Sequence, residues 1–88
     1  MRIQVRRTGG FAGIERSAAV ETAGLHDARS WQELAARALA GASGTPPSGV
    51  PDGFAYEIRV DGRTVYAADP RLSDAQRELV SRVLKEGA

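Results

Sequence analysis

The stretch FAYEIRV-DG-RTVYAAD, residues 54–69, constrains the fold more than any other part of the chain. Phe54, Tyr56, Ile58 and Val60 alternate with Ala55, Glu57 and Arg59, the two-residue period of a strand with one buried face. Asp61-Gly62 is the preferred pair for a two-residue type I′ turn. That turn sets Ile58 opposite Val65 and Tyr56 opposite Ala67, so the apolar sides of the two strands coincide.

A second, looser hairpin precedes it. RIQVR alternates, with Ile3 and Val5 on one side and Arg2, Gln4 and Arg6 on the other, and IERSAAVET resumes the pattern through Ile14, Ala18 and Val20. Arg16 is the awkward member of the second run. Between the hairpins, Trp31, Leu34, Ala35, Ala38 and Leu39 form one stripe at helical spacing, with His26 or Asp27 able to cap the start and Gly41 to stop it. At the end of the chain Leu79, Val80, Val83 and Leu84 form another stripe, opened by a Ser73–Gln76 capping box and closed by Gly87. The order is ββαββα. Two one-sided hairpins and two one-sided helices predict an α+β fold, a four-stranded antiparallel sheet with both helices packed on one face. Arg2, Gln4, Arg6, Glu57, Arg59 and Thr64 then fall on the open face.

Alternating chain direction also predicts which connections share an end. Residues 8–13, the Gly, Ser and Pro-rich 41–53, and 68–72 crowd one end, and the Asp61–Gly62 turn lies at the other. This brings Phe11 near Asp52, Asp69 or both.

Eighty-eight residues suit one domain, 1–88. With no cysteine, there is no disulfide framework and no thiolate chemistry. No run approaches the ~18 apolar residues of a membrane span, and MRIQVRRTGG has no apolar signal region, so the expected compartment is the cytoplasm. Twelve basic residues, eleven of them arginine, against eleven acidic ones leave a net charge of +1, too balanced for a protein held mainly by phosphates.

The enzyme reading is weak. The one histidine, His26, sits where a helix begins and serves as a cap or a solvated side chain; no second histidine is present to build a zinc site, and no nucleophile stands in a recognisable frame. GGFAG lacks the Lys, the Ser/Thr and the helix that a phosphate loop needs. An open face with Arg2, Arg6, Arg59 and Tyr66 imitates a single-strand nucleic-acid platform, but Glu15 and Glu57 share it and one tyrosine is a poor stacking surface. What remains is Phe11, flanked by Gly9, Gly10 and Gly13. Either its ring folds back over the core edge, or it anchors a partner, where burying it contributes about 2–3 kcal/mol.

MRIQVRRTGGFAGI at the start, VET at 20–22, PDGFAYEIRVDG in the middle and LSDAQRELV near the end resemble the emfourin-like proteins, small bacterial inhibitors of protealysin-like metallopeptidases of the thermolysin family. The resemblance spans nearly the whole chain, with Thr8 where serine is usual and Glu21 where aspartate is common. It implies inhibition by two neighbouring loops, one hydrophobic and entering the substrate subsites, one placing an aspartate on the catalytic zinc. Carried onto this sequence, the first is Gly9, Gly10, Phe11, Ala12 and Gly13 with Ile14 in support, and the second is Asp52, with Asp69 as the second choice. The partner implied is a protealysin-like peptidase bound by a monomer, with no cofactor or metal of the inhibitor's own and no nucleic acid or membrane. A general interaction module using the same loops and a nucleic-acid binder using the open face are the competing readings.

Overall fold

The computed structural model describes residues 1–9, 15–46 and 53–88. Its elements run β1 (Arg2–Gly9), β2 (Arg16–Glu21), α1 (Ala28–Leu39), β3 (Phe54–Val60), β4 (Arg63–Ala68) and α2 (Asp74–Glu86), the ββαββα order expected. The four strands form one antiparallel sheet in the order β2-β1-β3-β4. The β3–β4 register is the one the type I′ turn demands, with Ile58 opposite Val65 and Tyr56 opposite Ala67. Asp61 and Gly62 both take positive φ, 51° and 96°, as that turn requires.

The alternation then decides what is buried. Ile3, Val5, Ile58, Val60 and Val65 line the inner face and are at most 5 % exposed. Trp31, Leu34, Ala35 and Ala38 of α1 and Leu79, Val80, Val83 and Leu84 of α2 complete one continuous core, so both helices cover that same face. Each large side chain taken from water this way contributes about 1.5–3 kcal/mol before entropy is counted.

β1 is one of the two central strands, and this lengthens it. It pairs with β2 only as far as Arg7↔Arg16, yet continues against β3 to Gly9↔Phe54. The sequence pattern leaves Thr8 and Gly9 in a loop; β3 supplies the hydrogen-bonding partners that turn them into strand.

The helix ends differ from expectation in instructive ways. Asp27 occupies the N-cap position of α1 but makes no side-chain capping bond. Its carboxylate instead takes Nη2 of Arg82 at 3.3 Å, and that guanidinium lies 4.1 Å over the Trp31 ring. The capping box of α2 forms as expected: Ser73 Oγ accepts from the Gln76 amide, and the Ser73 amide donates to Gln76 Oε1. Gln76 also donates through Nε2 to the Ala38 carbonyl, tying the start of α2 to the end of α1. Gly41, just past α1, takes φ +70°. Gly87 closes α2 at φ −78°, so no left-handed turn is involved. Glycine is needed there because a Cβ would meet the Ala19 and Val83 carbonyl oxygens at 2.7 Å.

That close approach protects the sheet. Ala88 exchanges both backbone hydrogen bonds with Ala19 on the outer edge of β2, and a Ser43–Tyr66 bridge covers part of β4. Bare strand edges invite pairing with other chains.

Candidate functional site

The site begins where β1 leaves the sheet. The Gly9↔Phe54 pair sets the last residue before the hydrophobic segment beside the first strand residue after the long connection. A Cβ on Gly9 would lie 3.1 Å from the Gly53 carbonyl oxygen, and Gly9 takes φ +89°, so glycine is favoured by both conformation and space. The end of β4 joins this corner. Asp69 Oδ2 accepts the Phe54 amide at 3.1 Å, and the Asp69 amide donates to the Phe54 carbonyl. Behind it, the 41–46 segment reaches the β4 edge through Ser43, leaving a cleft of about 880 Å³ bordered by Ser43, Tyr66, Asp69 and Arg71. The expected gathering of three connections at one end holds for the roots of all three.

Of the residues singled out from the sequence, the structure brings Gly9 and Asp69 to this corner. Gly10, Phe11, Ala12, Gly13, Ile14 and Asp52 lie outside the described residues. Asp61 sits at the opposite end, where its carboxylate accepts the Arg2 amide at 2.8 Å. His26 is an exposed residue just ahead of α1.

The open face mixes its charges. Arg6 pairs with Glu15 at 3.1 Å, and Glu57 lies across from Arg6 in the register. Among the described residues, no group of three His, Cys, Asp or Glu side chains is placed to hold a metal ion. No helix among them is long and apolar enough to cross a membrane.

The sequence reading passed over a second feature of the same end. Arg7 continues the inner-face alternation of Ile3 and Val5, so its side chain points to the helix side, with the guanidinium carbon 4.2 Å over the Phe54 ring. Arg16 also faces inward and donates from Nη2 to the Leu84 carbonyl at 2.8 Å, near the end of α2. An arginine that breaks an apolar strand pattern thus satisfies a helix-terminal carbonyl. The same parity argument, applied to Arg7 in the sequence, would have found it. Tyr56 stands beside Arg7 on this face, and burial pushes its phenol above the ordinary tyrosine range. The Asp69 carboxylate adds to that rise, while Arg7 and Arg77 oppose it.

The fold and this corner define an α+β domain in which the roots of three connections meet at one end of an antiparallel sheet. The chain belongs to the Emfourin family, which matches over residues 5–84, nearly its whole length. Emfourin is the family of protealysin inhibitors, so the general role is inhibition of a metallopeptidase and the partner is a peptidase. Neither the comparison with curated proteins nor that with solved structures gives a match.

Proposed function

We propose that this protein inhibits a protealysin-like zinc metallopeptidase of the thermolysin family, with residues 9–14 occupying the substrate subsites and Asp52 ligating the catalytic zinc. The observation that carries the reading is the Gly9–Gly53 juxtaposition. It roots the Phe11-bearing segment and the Asp52-bearing segment side by side on two hydrogen-bonded strands. A catalytic zinc of this type keeps one position open for the attacking water. A carboxylate in that position displaces the nucleophile and offers no scissile amide, so the inhibitor is not cut. Phe11 supplies the apolar anchor beside the metal.

Asp52 is favoured over Asp69 because Asp69 already has work in the fold: Oδ2 holds the Phe54 amide. Withdrawing that carboxylate to reach a metal would leave a part-buried N–H without its acceptor.

Titration of a purified protealysin-like enzyme with the protein tests the proposal. Equimolar protein abolishes peptide hydrolysis, Phe11→Ala weakens inhibition by roughly tenfold or more, and Asp52→Ala weakens it without lowering the melting temperature. Asp69→Ala lowers the melting temperature. Undiminished hydrolysis across several such enzymes would overturn the assignment, and loss of inhibition with Arg59→Ala but not Phe11→Ala would move the interface to the open face.

A further inference from the structure

Arg7 and Arg16 are direct cross-strand partners, the last pair that β1 and β2 share. Their side chains leave the sheet on the same side, where like charges in that relationship repel. Across from them, α2 contributes Arg77 and Lys85, about two turns apart on one side of the helix, and the four cations border an open cleft of about 520 Å³. Tyr56, Leu72, Val80 and Leu84 supply its apolar walls, and no carboxylate among the described residues lines it, Asp69 acting only from beyond the Tyr56 phenol. The ion pairs among the described residues involve the N-terminal amine, Arg6 and Arg82, and none of these four cations.

Part of this arrangement has a purely structural reason. The carbonyl end of α2 carries partial negative charge, which suits Lys85 in its last turn and Arg16 on the Leu84 carbonyl. Arg7 and Arg77 gain nothing from that end. The Arg7 guanidinium lies over the Phe54 ring beside the Tyr56 phenol, yet its Nε is buried with no hydrogen-bond partner among the described residues, a state proteins seldom leave uncompensated. Three forked guanidiniums and an ammonium around an apolar-walled cleft are the donor set for a carboxylate or phosphate oxygen.

The cleft also has a defined position. Arg7 and Arg16 bracket residues 10–14 in the chain, and their pairing closes the root of that segment. The cleft thus adjoins the root from which the proposed inhibitory segment leaves the sheet.

The geometry points to the Arg7–Arg16–Arg77–Lys85 cleft as a second docking site, binding acidic side chains on the peptidase surface next to its substrate groove. This rests on the inhibitor reading for the partner's identity, while anion binding by the cleft stands independently of it. The shared chemistry is an oxyanion, and carboxylates of the partner are the source favoured by the cleft's place beside the segment root.

Two arms test the site. In the first, the ¹⁵N-labelled full chain is titrated with acetylated triglutamate and, separately, with inorganic phosphate. Saturable shifts at Arg7, Arg16, Tyr56 and Arg77 with triglutamate, lost in the Arg77→Gln/Lys85→Gln double variant, support the site. Shifts spread equally over Arg2 and Arg59 on the other face, binding of phosphate without triglutamate, or no saturable shift would overturn it. In the second arm, the double variant raises the inhibition constant roughly five- to tenfold, mainly through slower association, and flattens its salt dependence. Arg59→Gln leaves both unchanged. Unaltered inhibition by a double variant of wild-type melting temperature would overturn the partner assignment. A wild-type protein that inhibits nothing would sink the inhibitor reading instead, and the triglutamate arm alone would then decide the cleft.

Discussion

Gly53 and Asp69 stand closer than any other residue type at position 53 would permit: a Cβ there would lie 2.6 Å from the Asp69 Cβ and 3.1 Å from its Oδ2. The same carboxylate holds the next amide along, that of Phe54. The end of β4 is thereby pressed onto the start of β3, whose other neighbour is Gly9 of β1. Three chain segments meet at this corner, and the two proposed inhibitory segments both leave from it.

Gly53→Ala should therefore damage the corner more than an exposed loop substitution does. The obstructing atom is the Cβ of Asp69, fixed to its backbone, so the neighbour cannot simply swing away. The expected loss is about 1–3 kcal/mol, measured by urea denaturation, together with weaker inhibition. An unchanged midpoint would show that the two segments separate easily and that the corner is not what positions them.

Gly87→Ala probes the opposite edge of the sheet. Its new Cβ would collide with two backbone oxygens, those of Ala19 and Val83, and backbone cannot yield as a side-chain tip can. The terminal residue should lift from β2, breaking the paired Ala19–Ala88 hydrogen bonds. Amide exchange at Ala19 accelerates markedly while exchange at Ile3 and Ile58 stays slow, at a global cost of about 1 kcal/mol. Equal acceleration throughout would mean that the tail is integral to the core.

Much of this architecture is legible in the sequence because each element carries one clear period. The β3–β4 hairpin is read correctly to the residue, since Asp61-Gly62 leaves one register and the apolar alternation agrees with it. The helix stripes and the Ser73–Gln76 box rest on local rules as well. What escapes is whatever depends on distant partners. The extension of β1 to Gly9 needs β3; the stitch from Gln76 to Ala38 needs α1; the true role of Asp27 needs Arg82, 55 residues away. Gly87 reads as a helix stop, yet its reason is the approach of β2. For the candidate site, the sequence correctly places the roots of the connections together. It overlooks the cationic cleft, because an arginine on an apolar face reads locally as an interruption.

Tyr56 offers a spectroscopic handle on that cleft. Burial and, next, the Asp69 carboxylate raise its phenol above the ordinary value of 10.0, with Arg7 and Arg77 pulling the other way. Absorbance titration should resolve one tyrosine ionising above pH 10. Arg77→Gln, which removes a cation, moves it higher, and Asp69→Asn moves it lower. The unfolded chain releases this proton first, so the stabilisation is full below pH 10 and disappears as pH climbs through the folded value. A shift in the opposite direction with Arg77→Gln would show that Arg77 does not face the phenol.

At the acid end, Glu21 plays the corresponding part with the opposite sign. The Ala23 amide and the N-terminal ammonium hold its carboxyl below the ordinary glutamate range, the ammonium at 3.1 Å and the amide at 3.2 Å from Oε2. A lowered folded value means that the unfolded chain takes up the proton first as acid is added. The contribution is complete above the unfolded value of about 4.3 and is lost as pH falls through the folded one. Because the carboxylate is exposed, solvent and salt screen it, and the effect is small. Glu21→Gln should melt slightly below the wild type at pH 7 in low salt, and the two melting curves should converge as pH falls from above the ordinary glutamate value through the lowered folded one. Molar salt should narrow the pH 7 gap by screening the ammonium but leave the part due to the Ala23 amide. Parallel melting temperatures across the whole acid range would show that Glu21 contributes no pH-linked stability.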